Sequence, residues 1–233
     1  KIKRLNILKK YKNFKFYKID IGDIHKLKEQ KVSYIIHLAA QAGVRLSQEN
    51  PELFINDNIL KTVKLFEFAK NNKIKNLFYA SSSSVYGNLN KYPSNETLNI
   101  NKPISIYGIT KATNEDLAYY YKFVYGINSI GFRFFTVYGP YGRPDMSINI
   151  FFNALFNKKK ISLFNNGKNF RDYTYVDDVV EQIFSCIKKT KKRKKYLEIF
   201  NIGGENMIQI QKLVNLISKI TKRKTKIGLT KKK

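Results

Sequence analysis

The sequence predicts an α/β fold, a doubly wound parallel sheet with a smaller mixed α/β lobe, and three observations carry that expectation. Short β-rich runs alternate with longer helical patterns through residues 1–140. The runs are continuous apolar stretches rather than in-and-out alternations, as in parallel strands covered by helices on both faces. The chain has 233 residues, 43% hydrophobic and 26% charged, enough to close a sizeable core.

In order along the chain, Phe14 to Ile19, Tyr34 to Leu38, Leu77 to Ser81 and Ile130 to Phe134 read as strands. Between them, Glu52 to Lys70 spaces Leu53, Ile59, Leu60, Val63, Phe66 and Phe68 as a helix would, and Pro51 suits its first turn. Tyr107 to Tyr125 is the next helix, with Gly126 as its stop. After Gly139 the regularity weakens into a loop holding Pro140, Gly142, Arg143 and Pro144. A helix from Ser147 to Asn157, strands at Ile161 to Phe164 and Phe170 to Tyr175, a helix from Val176 to Lys189, a strand at Leu197 to Ile202 and a helix from Ile208 to Ile220 complete the pattern. The expected division is residues 1–140 as one domain and 141–233 as mainly a second, partly interleaved with the first. In such a sheet ligands bind beyond the carboxyl ends of the strands.

A formal charge of +27 by itself argues for a polyanionic partner. The basic residues are nearly all lysine, however, and come with abundant Asn, Ile, Tyr and Phe, the residues of an AT-rich coding sequence. The densest runs, Lys188 to Lys195 and Lys222 to Lys233, fall at a helix end and the terminus, where charge is simply solvated. No nucleic-acid motif accompanies them, so no specific nucleic-acid partner is expected. No apolar run approaches the ~20 residues that span a bilayer, and no membrane partner is expected. The single cysteine, Cys186, lies in an apolar helical pattern and reads as a small core residue. No metal site is expected. Lys1-Ile2-Lys3-Arg4 has no secretory signal, so the expected location is cytoplasmic, and the missing initiator Met suggests a fragment.

The chemistry-bearing residues begin with Tyr107-Gly108-Ile109-Thr110-Lys111, a phenol and an ammonium four apart on one helix face. A nearby cation favours the phenolate, whose unperturbed pKa near 10 is too high for a base at neutral pH. Taken alone the pair is weak in a chain so rich in Tyr and Lys. Its company is stronger. The strand at Leu77 runs into Ser81-Ser82-Ser83-Ser84, four hydroxyls where the chain leaves the sheet. His37-Leu38-Ala39-Ala40-Gln41-Ala42-Gly43-Val44-Arg45 ends another strand in small residues that let a flat cofactor approach the backbone.

At this point the chain resembles the extended short-chain dehydrogenase/reductase superfamily, in its NAD-dependent epimerase/dehydratase family, and most closely the UDP-glucuronate 4-epimerases. The resemblance runs from about Asp20 to Gly204. It is carried by His37 to Arg45, Tyr79-Ala-Ser-Ser-Ser-Ser-Val-Tyr-Gly87, Phe132-Arg-Phe-Phe-Thr-Val-Tyr-Gly-Pro140 with Gly142-Arg-Pro-Asp-Met146, and Arg171-Asp-Tyr-Thr-Tyr-Val-Asp-Asp178.

The resemblance implies a Rossmann-like domain and bound NAD as cofactor. Tyr107 would be the catalytic base, Lys111 would lower its pKa and bind the nicotinamide ribose, and Ser82 would orient the sugar. Asp20, Ile21, Leu38, Ala39, Ala40, Asn58 and Phe134 would line the cofactor together with Tyr107 and Lys111. Ser83, Ser84, Thr136, Arg143 and Arg171 would bind substrate, with Thr136 and Arg143 on a uronic-acid carboxylate and Arg171 on the nucleotide diphosphate. The implied reaction is inversion of a UDP-sugar at C4 through a 4-keto species, UDP-glucuronate to UDP-galacturonate. Other nucleotide-sugar epimerases or dehydratases, and an inactive basic fragment binding polyanions, stand as alternatives. Dehydratases of the superfamily carry an Asp-Glu pair where this chain has Ser83 and Ser84. Full-length relatives pair as homodimers through the helices here at Glu52 to Lys70 and Tyr107 to Tyr125.

The sequence departs from the pattern in two places. The family opens with a strand and a Gly-x-x-Gly-x-x-Gly turn that cradles the pyrophosphate. None of the 12 glycines forms that spacing, which places the opening strand, the turn and its helix upstream of Lys1, and the substrate lobe ends early as well.

Overall fold

The computed structural model describes residues 2–27, 31–88, 93–100, 102–204, 207–224 and 226–230. In chain order the elements are α1 (Ile2–Leu8), a 3-10 turn (Ile21–Lys26), β1 (Ile35–His37), α2 (Val44–Glu49), α3 (Pro51–Phe54), a π-helical stretch (Ile55–Leu60), α4 (Lys61–Asn71) and β2 (Asn76–Ser82). A 3-10 turn (Ser83–Tyr86), α5 (Ile106–Tyr125), β3 (Asn128–Phe134), β4 (Thr136–Tyr138), α6 (Ser147–Phe156) and β5 (Ile161–Phe164) follow. The chain continues with a 3-10 turn (Asn165–Gly167), β6 (Phe170–Tyr175), α7 (Val176–Thr190), β7 (Leu197–Ile202), β8 (Met207–Gln209), α8 (Ile210–Thr221) and β9 (Ile227–Thr230).

The central sheet is parallel, in the order β1-β2-β3-β7. Because successive side chains of a strand point to opposite faces, β2 seeds two cores. Leu77 and Tyr79 pack with Leu65, Phe66 and Ala69 of α4 and Ala118 and Tyr121 of α5 on one face. Phe78 packs with Ile130, Phe132 and the α7 residues Val179, Ile183 and Ile187 on the other. Helices on both faces are what "doubly wound" means, and β7 brings a strand from beyond residue 140 into this sheet. Cys186 packs half-buried against the second core, and burial pushes its thiol pKa up. A third core, with Phe151 and Leu155 of α6, Ile161 and Leu163 of β5 and Leu213, Val214 and Ile217 of α8, holds the smaller lobe.

The expected strand at Phe14 to Ile19 does not form; the segment is irregular. A strand needs a hydrogen-bonding neighbour, and among the described residues β1 pairs with β2 alone. The expected helix at Ile208 is the other correction. Met207–Gln209 pairs antiparallel with Phe170, Arg171 and Asp172, and α8 begins at Ile210. An available partner strand outweighs the helical periodicity there. The helix expected as one piece from Glu52 to Lys70 is widened by its π-helical stretch, which carries Asn58 inward. Gly126 caps α5 as expected, with φ +69°, a conformation glycine adopts without strain. No described helix is long and apolar enough to cross a membrane.

Candidate active site at the carboxyl ends of the central strands

The site forms where β1, β2 and β3 end. Ser105 caps α5, its hydroxyl accepting the Gly108 N–H at 3.0 Å, and so sets the first turn, which carries Tyr107. The ring of Phe54 meets the Tyr107 ring edge-on with centroids 6.2 Å apart, fixing its orientation. One turn on, Lys111 is 2% exposed, and its Nζ donates to the Ala80 carbonyl at 2.8 Å. That ammonium lies 5.9 Å from the Tyr107 ring centroid, so the pair does share one face of the helix. Ser82, the last residue of β2, caps the following 3-10 turn by accepting the Ser84 N–H at 3.1 Å, and its side chain acts on the Tyr107 phenol, pulling its pKa down.

The electrostatics differ from the expectation in one respect. Burial raises the Tyr107 pKa above 10, and the opposing pulls come from the Ser82 side chain and the charge of Arg143 rather than from Lys111. Burial also depresses Lys111, to about 8. An ammonium tied to a carbonyl and itself desolvated has less to offer the phenol than its place in the sequence suggests.

Leu38, Ala39 and Ala40 are exposed beyond β1, with little side chain to obstruct approach to their backbone. Ile21 is half-buried. Asp20 accepts the Gly22 N–H at 2.7 Å and pairs with Lys61 at 2.9 Å; its pKa is lowered by Lys61 first and by that N–H second. Phe134 ends β3 half-buried. Asn58 is 1% exposed, and its amide exchanges hydrogen bonds with the Gln41 main chain at 2.8 and 2.9 Å and donates to Thr110 at 3.1 Å. It can therefore hold the Leu38–Gln41 segment in place. The remaining residues fit the nicotinamide end of NAD, with bare backbone beyond β1 and a buried ammonium beside a phenol. A glycine turn for the pyrophosphate is not present in the sequence.

On the substrate side, Ser83 and Ser84 are half-buried in the turn after Ser82. Thr136 lines a cavity of about 280 Å3 together with Tyr138, Met146, Asn149, Phe152 and Tyr173. This cavity lies toward the smaller lobe, and neither Tyr107 nor Ser82 lines it. Arg143 reaches back toward Tyr107. Its Nη2 would stand 3.5 Å from a side chain at Gly43, whose φ of +128° also favours glycine, and its charge acts on Tyr107. Arg171 donates to the Phe170 carbonyl at 2.9 Å, whereas the carboxylate of Asp172 accepts the Gly204 N–H at 3.1 and 3.2 Å.

Two buried groups were given no role by the sequence reading. Glu115, one turn beyond Lys111, accepts from the Ser81 hydroxyl at 2.5 Å and from Arg133 at 3.0 and 2.7 Å. Arg133 also donates to the Tyr86 hydroxyl at 3.0 Å, and Tyr86 donates to Asn201 at 2.6 Å. A charge inside an otherwise apolar strand was the available signal. Burial works against the Arg133 cation, yet Glu115 and Tyr86 hold its pKa above the usual arginine value. His37 is buried as well. The single proton of Thr62 goes to the Asn58 carbonyl at 2.6 Å, so His37 Nε2 is the donor in its 3.2 Å contact with Thr62. Burial and then the Lys111 charge bring the His37 pKa down to about 4, leaving it neutral.

A parallel doubly wound sheet, a buried Tyr-x-x-x-Lys pair and a hydroxyl at the adjoining strand end define a dinucleotide-dependent enzyme class that works by proton transfer beside its cofactor. The model of the NAD dependent epimerase/dehydratase family matches residues 2–203, and the chain belongs to that family. It is 44% identical over 230 residues to an uncharacterized protein of Methanocaldococcus jannaschii, covering 97% of this chain and 69% of that one. It is 41% identical over 228 residues to a UDP-glucuronate 4-epimerase of Thermodesulfobacterium geofontis, covering 96% and 69%. The structure is similar to that of UDP-glucuronic acid 4-epimerase from Bacillus cereus in complex with UDP-glucuronic acid and NAD. That likeness has a TM-score of 0.81 at 29% identity and covers 92% of this chain and 66% of that one. The chain thus spans about two thirds of the length of these relatives.

Proposed function

We propose that the protein, as part of a complete NAD-binding enzyme, inverts C4 of a UDP-sugar and that its substrate is UDP-glucuronate, giving UDP-galacturonate. The observation that carries this reading is the convergence of Tyr107, Lys111 and Ser82 at the carboxyl end of the parallel sheet, with the guanidinium of Arg143 reaching the same place. When bound, NAD supplies a hydride acceptor and donor at the sugar carbon. The chain's own residues do the rest. Ser82 orients the 4-hydroxyl, and Tyr107 Oη takes its proton and later returns it. Lys111, anchored on the Ala80 carbonyl, is placed to hold the nicotinamide ribose. Arg143, with Thr136, holds the C5 carboxylate through paired hydrogen bonds, which a neutral hexose cannot accept. Arg171 serves the diphosphate.

The test is chromatography of UDP-glucuronate after incubation with the protein and NAD, which should reveal UDP-galacturonate. Arg143→Ala should reduce kcat/KM for UDP-glucuronate by about tenfold to a hundredfold, from the loss of a charge-assisted hydrogen bond worth ~1.5–3 kcal/mol, and cost UDP-glucose less, since only the loss of the Arg143 charge near Tyr107 reaches both sugars. Equal losses for both sugars would remove the carboxylate reading.

The reading extends to a second copy. Tyr119, Tyr120, Phe123 and Val124 of α5 and Leu60 of the π-helical stretch are exposed, and two copies pairing through these helices would cover them. Light scattering should give twice the monomer mass, and Phe123→Glu should return it to one; a monomeric parent protein would remove the pairing.

A further inference from the structure

In this structure the Arg143 guanidinium already holds a carboxylate. Its Nε donates to Asp145 Oδ1 at 3.0 Å and its Nη2 to Oδ2 of the same side chain. These are the two parallel bonds by which a planar guanidinium grips any carboxylate. Arg143 in turn holds the Asp145 carboxyl below the usual carboxylate range. The two side chains are 44% and 60% exposed, so water screens the pair and it can open readily. The loop also has other supports. Asn149 Nδ2 donates to the Arg143 carbonyl at 2.7 Å, the Met146 N–H donates to it at 3.2 Å, and the Gly142 N–H donates to the Gly139 carbonyl at 3.1 Å.

We propose that Asp145 is a specificity-determining residue, an internal carboxylate that fills the Arg143 fork in the free protein and gives way to the carboxylate of the incoming sugar. The proposal rests on the uronate reading of Arg143. Exchanging one carboxylate for another on the same fork keeps the guanidinium paired throughout, so a uronic acid can displace Asp145. A neutral hexose offers no anion in return and leaves Asp145 where it is. The internal pair therefore competes with the uronate alone and sets its affinity, while the fork is never left open to other small anions.

Calorimetric titration of the parent protein, Asp145→Asn and Arg143→Ala with UDP-glucuronate and with UDP-glucose tests this without requiring turnover. Removing the competitor should tighten UDP-glucuronate about twofold to fivefold, the range set by an exposed ion pair, and leave UDP-glucose unchanged. Unaltered or weaker UDP-glucuronate binding by Asp145→Asn, with a parent-like melting temperature, would overturn the role of Asp145. If Arg143→Ala kept the parent's preference for the uronate, the reading of Arg143 itself would fail, and the proposal with it. Failure of the parent to bind either sugar would remove the proposed function and this inference together.

Discussion

Tyr107→Phe, which removes the proposed proton carrier, should lower turnover by about a hundredfold to ten-thousandfold, the contribution of a positioned acid-base group, while UDP-sugar affinity stays near that of the parent. The ring would still meet Phe54 edge-on, because that contact involves no hydroxyl. What disappears is the ionisable oxygen on which the Ser82 side chain acts. The pH profile should report the same group. Burial lifts the phenol pKa, and the base is the ionised form, so turnover in the parent should climb from neutral pH upward as the ionised fraction grows. Near-normal epimerisation by Tyr107→Phe would show that another group carries the proton.

Arg133→Ala should be the most destabilising single change at the site. It leaves Glu115, 7% exposed, with no cation, and it leaves Tyr86 without its Nη1 donor. Breaking a buried ion pair from one side costs about 3–5 kcal/mol. In a chain of this length each kcal/mol lowers Tm by about 2–4 °C. Thermal melting should therefore drop by about 10 °C. The double variant Arg133→Met with Glu115→Leu should recover much of the loss, because it removes both charges from the interior. A fall in Tm of less than about 2 °C for Arg133→Ala would mean that the pair is solvated. The pair also bears on the chemistry, since Glu115 holds Ser81, the neighbour of Ser82, against the helix that carries Tyr107 and Lys111.

These two residues mark the boundary between what periodicity reveals and what it does not. Alternating β-rich runs and helices, a Tyr and a Lys four residues apart, and four serines at a strand end are local patterns, so the two-sided sheet and the shared face of Tyr107 and Lys111 were readable from the chain, whereas the place of Ser82 beside them was implied by the family resemblance. The strand expected from Phe14 to Ile19 does not form, and the helix expected from Ile208 to Ile220 starts two residues late. Neighbouring strands decide both: the first segment joins no sheet among the described residues, and Met207–Gln209 pairs with β6.

What only the tertiary structure decided is which partner each polar group takes. Asn58 gives its amide to Gln41 and Thr110, Glu115 and Arg133 close a buried pair between α5 and β3, and Asp145 fills the Arg143 fork. The sign of the Tyr107 shift belongs here too, since desolvation depends on how much protein surrounds the phenol, a property of packing. By itself the sequence determined the order of strands and helices and the residue types delivered to the strand ends, because backbone periodicity and turn chemistry act over a few neighbouring residues. Burial, pairing and charge depend on groups distant in the chain, and only folding brings those together.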